Sequence, residues 1–154
     1  MPNRTLVIAI DGPAASGKST TARLVAERLG YTYIDTGAMY RAVTLAVLRN
    51  GIDPADDSAV SALARNLQIS FLRDPDSGAL HTLLNGEDVW QQIRTPEVTR
   101  NVSLVSSYAG VRTPVVELQQ RMGEQGGVVM DGRDIGTMVF PNADLKIFMV
   151  ANLD

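Results

Sequence analysis

The 154-residue sequence contains no cysteine, so neither a disulfide scaffold nor a thiolate-ligated metal centre can organise it. Lysine is almost absent as well, with only Lys18 and Lys146, and 14 Lys and Arg stand against 17 Asp and Glu for a formal charge of −3. That balance excludes a broad polybasic face for a nucleic acid polymer or an anionic membrane. No apolar run is longer than that from Leu6 to Ile10, which falls far short of the ~20 residues of a membrane-spanning helix. Nor does the N-terminal stretch show an apolar signal region followed by a small-residue cleavage site. The expectation is a cytoplasmic protein that makes no membrane contact.

Hydrophobic residues make up 45% and charged residues 20%, ordinary globular usage for one domain or one domain with a small insert. The cationic side chains are mostly arginine, whose guanidinium fork suits phosphate. His81 is the only histidine and reads as a surface strand residue, not a general base. Trp90 reads as an anchor of the insert, and Met39, Met130, Met138 and Met149 read as core filler.

Thr5 to Ile10 is an unalternating, β-branched apolar run, as expected of a parallel strand buried on both faces. A glycine-rich loop, a helix from Lys18 to Leu29 closed by Gly30, and a strand from Tyr31 to Ile34 follow. This order is a βαβ unit whose loops open at the carboxyl ends of the strands, where ligands bind. Helices are expected over Ala38–Arg49 and Ser58–Asn66. Strands then follow over Gln68–Arg73 and Leu80–Leu84, with an Asn85-Gly86 hairpin turn. Thr95-Pro96 opens a helix running to Ser107, and Pro114 is expected near the start of the next helix. Val128 to Asp131 is a buried strand ending in an acid, and Leu145 to Val150 is another strand.

Gly12-Pro13-Ala14-Ala15-Ser16-Gly17-Lys18-Ser19 matches the phosphate-binding loop G-x-x-x-x-G-K-[ST] between strand and helix. Backbone N–H groups and the helix N-terminus close around phosphate there, Lys18 reaches the β and γ oxygens, and Ser19 can ligate Mg²⁺. With Thr20 these eight residues form the expected ATP site. Neither D-x-x-G nor N-K-x-D accompanies the loop, so ATP is a better fit than GTP.

Four segments in order then resemble the bacterial cytidylate kinase family. They are Asp11 to Ser19; Asp35-Thr36-Gly37-Ala38-Met39-Tyr40-Arg41; Gly86-Glu87-Asp88-Val89 with Ile93-Arg94-Thr95; and Asp131-Gly132-Arg133-Asp134-Ile135-Gly136-Thr137. The resemblance runs from about residue 5 to the end. It implies an α/β P-loop NTPase three-layer fold of the nucleoside monophosphate kinase type. The kinase core would be residues 1–66 and 108–154, and a small mixed β insert at 67–107 would bind CMP. Such kinases are about half as long again, and the missing part would hold the lid helices, so a truncated chain is expected.

The implied reaction is ATP with CMP or dCMP to ADP with CDP or dCDP, assisted by Mg²⁺, in a monomer. By resemblance, Arg41 and Arg133 hold the acceptor phosphate, Thr36 adds a hydroxyl, and Tyr40 walls the pocket. Ser103, Arg112 and Asp134 read cytosine, Asp134 accepting from N4 while Arg112 donates to N3 or O2. Asp131 ends its strand like a Walker B acid that orients a water of the Mg²⁺ ion, and Asp35 caps the helix after it. Together Lys18, Arg41, Arg133 and Asp131 are the expected catalytic group. Two alternatives stay open: a nucleotide-binding fragment without turnover, and a P-loop kinase acting on another small molecule such as a sugar or a shikimate-like acid.

Overall fold

A computed structural model describes residues 5–13 and 15–151. In chain order the elements are β1 (Val7–Asp11), α1 (Lys18–Leu29), β2 (Thr32–Asp35), α2 (Thr36–Arg49) and α3 (Asp57–Ala64), followed by β3 (Ile69–Arg73), β4 (Leu80–Leu84) and β5 (Glu87–Asp88). A 3₁₀ turn (Gln92–Arg94), α4 (Pro96–Ser107), α5 (Ala109–Gly123), β6 (Val128–Gly132), a single π-helical turn (Ile135–Val139) and β7 (Leu145–Phe148) complete the chain. Backbone contacts divide it into two compact units, residues 1–36 with 119–154, and residues 37–118.

The first unit is built on a parallel four-stranded sheet in the order β2-β6-β1-β7. Its architecture is the expected α/β type, with the glycine-rich loop joining β1 to α1. Residues alternate along a strand, while register partners on neighbouring strands share a face. Ile8 pairs with Val129 and Ile10 with Asp131 across β1 and β6, and Tyr33 and Asp35 of β2 pair with the same two β6 residues. These six side chains therefore point to one face. There Ile8, Ile10, Tyr33 and Val129 pack with Ala22 and Ala26 of α1. Burying Ile8 and Ile10, 2% and 0% exposed, contributes about 1.5–3 kcal/mol for each side chain. The opposite face carries Val7, Ala9 and Asp11 from β1, with Val128, Met130 and Gly132 in register from β6.

The second unit holds an antiparallel sheet, β3-β4-β5. Asn85 and Gly86 join β4 to β5 with φ of 49° and 85°, the positive angles a two-residue hairpin of matching twist requires. Asp74 Oδ1 accepts from the amides of Asp76 and Ser77 and fixes the wider turn between β3 and β4. Thr95 caps α4 through the amide of Val98, and Pro96 occupies the first turn. Residues 67–107 lie wholly within this unit.

Pro114 and Met138 differ from expectation. Pro114 lies inside α5, beyond its first turn. The reason is that α5 begins at Ala109, directly after Tyr108 ends α4, so the helix is already established when the proline is reached. Met138 is 62% exposed, because the π-helical turn carries it outward while Ile135 and Val139 are buried. Met39 and Met130 are fully buried, as expected. His81 is partly covered, stacked on Trp90 at 4.5 Å with Nδ1 2.7 Å from Asp88, and Arg94 lies over the other ring system of this stack, 3.8 Å from the Trp90 centroid.

Candidate functional site

The carboxyl ends of β1, β2 and β6 each finish in or beside an acid: Asp11, Asp35 and Asp131. The loop that leaves β1 is held close to its neighbours, since the Gly12 amide donates to the Gly132 carbonyl at 3.2 Å. A Cβ on Gly12 would lie 2.4 Å from the Met149 carbonyl oxygen, so no larger residue fits without moving β7's continuation. Ala15 adopts a left-handed φ of 63°, a strained conformation for a residue with a side chain and one that concentrates at functional sites.

Gly17 leads into α1, and no described side chain caps that helix or places an acid in its first turn. Its first N–H groups are thus left to an outside acceptor, with the positive end of the helix dipole behind them. The Ser16 hydroxyl is buried without a partner among the described residues. Lys18 Nζ lies 3.3 Å from the Pro13 carbonyl, folded back over the loop, and Ser19 and Thr20 are exposed at the helix start. Ala14 lies outside the described residues. These features suit phosphate: open donors, a cationic side chain and a hydroxyl on one short segment.

Asp131 is 3% exposed and sits on the α1 face of the sheet. Ser19 Oγ donates to its Oδ2 at 2.8 Å and Tyr33 Oη to its Oδ1 at 3.1 Å. The Thr36 hydroxyl, also buried, donates to its backbone carbonyl at 2.7 Å. Hydrogen bonds to a charged group contribute about 1.5–3 kcal/mol each, against several kcal/mol for burying a carboxylate. Burial wins. It holds the Asp131 carboxyl above its ordinary value, and the charge of Asp35 on the same face adds to it, while Ser19, Tyr33 and Lys18 pull the other way. Tyr33 is raised in turn, first by burial and then by Asp35 and Asp131.

Arg133 and Asp134 follow β6, Arg133 exposed and Asp134 at the head of the π-helical turn. The first unit therefore brings together Gly12, Pro13, residues 15–20, Thr36, Asp131, Arg133 and Asp134 around the ends of three strands. Tyr40, Arg41, Ser103 and Arg112 belong to the second unit. There Arg41 Nη1 donates to the Ile93 carbonyl at 3.1 Å and to Thr99 Oγ1 at 2.9 Å. Ser103 lies one turn beyond Thr99 on the same face of α4, and both are exposed. Arg112 is exposed on α5.

Tyr33 and the side chain of Asp11 are absent from the expected site. Tyr33 could have been found by alternation, because it lies two residues before Asp35 and so shares its face. Asp11 marked the end of a strand, and nothing in the sequence says that its carboxylate would meet the amides after Asp134.

An uncapped helix N-terminus behind a tight glycine loop, with a buried acid at the end of the strand beside it in the sheet, defines an α/β P-loop phosphate-binding protein. The model of the cytidylate kinase family matches residues 8–154. A cytidylate kinase of Ligilactobacillus salivarius is 52% identical over 151 residues, covering 98% of this chain and 66% of the relative. One of Bacillus licheniformis is 50% identical over 151 residues, covering 98% and 66%. One of Pelodictyon phaeoclathratiforme is 56% identical over 152 residues, covering 97% and 63%. The chain belongs to the cytidylate kinase family, and it spans about two thirds of the length of these relatives.

The raised Asp131 carboxyl has a consequence for stability. The native state keeps this proton to higher pH than the unfolded chain, whose carboxyl titrates near about 3.9. Stability is therefore lost as pH rises from that value through the native one. Asp131→Asn removes the charge and keeps an acceptor for Tyr33. It should melt higher than the parent at about pH 7, with the gain fading below the ordinary carboxylate range. Thermal melts of both proteins across pH test this, and an equal or lower melting temperature at neutral pH contradicts it.

Proposed function

We propose that the protein transfers the γ-phosphoryl group of ATP to CMP or dCMP, giving ADP and CDP or dCDP. The observation that carries this reading is the Ser19 hydroxyl on the Asp131 carboxylate, at the mouth of a P-loop in a chain whose relatives bear the name cytidylate kinase. The bond from the γ-phosphorus to its bridging oxygen breaks, and an oxygen of the acceptor phosphate forms the new one. The acceptor attacks directly, so no side chain serves as nucleophile. Catalysis then rests on positioning and charge neutralisation.

The amides of Gly17 to Thr20 and the charge of Lys18 hold the ATP polyphosphate. Ser19 and Asp131 are hard oxygen donors on adjoining elements, and Mg²⁺ is typically held by one or two such groups together with substrate phosphates. They fit the ion as such a pair; no cluster of three or more His, Cys, Asp or Glu occurs among the described residues. When bound, Mg²⁺ would offset charge on the transferring phosphate. Tyr33 keeps the second Asp131 oxygen occupied and so fixes the orientation of the carboxylate.

Arg133 is assigned to the acceptor phosphate and Asp134 to the cytosine N4 amino group. In the second unit Arg41 is assigned to the phosphate, Tyr40 to the pocket wall, and Ser103 and Arg112 to the base, with residues 67–107 as the acceptor insert. Uracil offers a carbonyl where cytosine offers an amino group, so a carboxylate at Asp134 would face a lone pair. Leaving that charge unpaired rejects UMP more strongly than added attraction selects CMP. Thr36 is placed with Asp131, whose backbone its hydroxyl holds, beside the acceptor phosphate. The formal charge of −3 fits free nucleotides rather than a nucleic acid polymer. We place the reaction in the cytoplasm, carried out by a monomer.

Two kinetic experiments on the full-length protein test this. Coupled ADP release with CMP should be lowered by Lys18→Ala in kcat by about a hundredfold or more, and a rate near the parent's contradicts the assignment. Asp134→Ala should narrow the preference for CMP over UMP by about tenfold or more. An unchanged ratio removes Asp134 from base reading, and a parent active only on a sugar or another acid removes CMP from the account.

A further inference from the structure

Asp11 points away from α1, to the face of the sheet opposite Asp131. It is 8% exposed. Its Oδ1 accepts from the amide of Ile135 at 2.7 Å and its Oδ2 from the amide of Gly136 at 2.8 Å. Both donors are buried, and both follow directly on Arg133 and Asp134. One carboxylate at the end of β1 thus clamps the first two amides of the π-helical turn.

The clamp has a geometric counterpart in its partner. A Cβ on Gly136 would come within 3.2 Å of Asp11 Oδ2 and of Lys146 Cδ, so any larger residue there presses on the carboxylate and on Lys146 and requires one of them to shift. The π-helical turn continues from Asp134, whose carbonyl accepts from Met138 at 2.8 Å. Such turns are uncommon and occur mostly at functional sites. A neutral side chain at position 11 would have satisfied two donors less well, because charge-assisted bonds are about twice as strong as neutral ones.

The geometry points to Asp11 as a positioning residue: by fixing the Ile135 and Gly136 amides it sets the backbone from which Arg133 and Asp134 reach the acceptor nucleotide. The inference rests on the CMP reading above. Both oxygens of Asp11 are taken by these amides, so it acts through the backbone. It ties the segment assigned to the acceptor to the very strand that leads into the ATP loop.

The test uses the full-length protein, Asp11→Asn and Gly136→Ala. Asparagine keeps the shape but presents an amino group to one of the two amides, and alanine crowds the carboxylate from the other side. Calorimetry should show CMP binding weakened about tenfold in both variants, with ATP binding within about twofold of the parent. Amide hydrogen exchange at Ile135 and Gly136 should accelerate about tenfold in Asp11→Asn, while the melting transition stays cooperative. Affinities for both nucleotides falling together mark a merely structural role and overturn the inference. So do variants that bind CMP like a parent competent to bind it. A parent that binds ATP but not CMP overturns the acceptor reading, and the role of Asp11 in it.

Discussion

The Asp131 carboxyl is buried where three parallel strands end, and residues of α1, β2 and α2 converge on it. The sheet register places it opposite Ile10 and Asp35, under the first turn of α1. Ser19 and Tyr33 each supply a donor, and Thr36 holds its backbone. An acid in that position is costly to ionise, and its neighbours offset only part of the cost. A chain folding for stability alone would do better with a neutral side chain there. The residue fits a site where cation chemistry repays the burial, as strained and desolvated groups at active sites do.

The same register divides the chemistry between two faces. Odd and even positions of β1 send Asp11 one way and Ile10 the other, so the strand that opens the phosphate loop also anchors the segment after β6. Ser19 and Asp131 lie on the α1 side. Asp11, the π-helical turn and Lys146 lie on the other. Parallel strands make this economical, because every loop at their carboxyl ends opens toward one rim.

Much of this is legible in the sequence. The boundaries of α1 and β4 follow from apolar periodicity and flanking glycines, and the Asn85-Gly86 turn and the Thr95-Pro96 cap carry their own local chemistry. Such signals act over a few residues, and the sequence displays them directly. What stayed hidden depends on residues far apart in the chain. Asp11 and Ile135 are separated by 124 positions, and no periodicity in either segment reports their meeting. The partners of Arg41, the Ile93 carbonyl and Thr99, were invisible for the same reason. Hydrophobicity does not report the exposure of Met138, because a tight π-helical turn exposes one side. Pro114 lies deeper in its helix than its residue type suggests because α5 begins without a spacer after α4.

The central claim is that the uncapped start of α1, with Ser19 on Asp131, receives the ATP polyphosphate. The most direct test is a titration of the ¹⁵N-labelled protein with ATP, following backbone amide shifts. The account predicts saturable changes that are largest at Ser16 to Thr20, strengthened by Mg²⁺, and sharply reduced in Ser19→Ala. Saturation without change in that segment, or with its largest shifts in the β3-β4-β5 sheet, would contradict it.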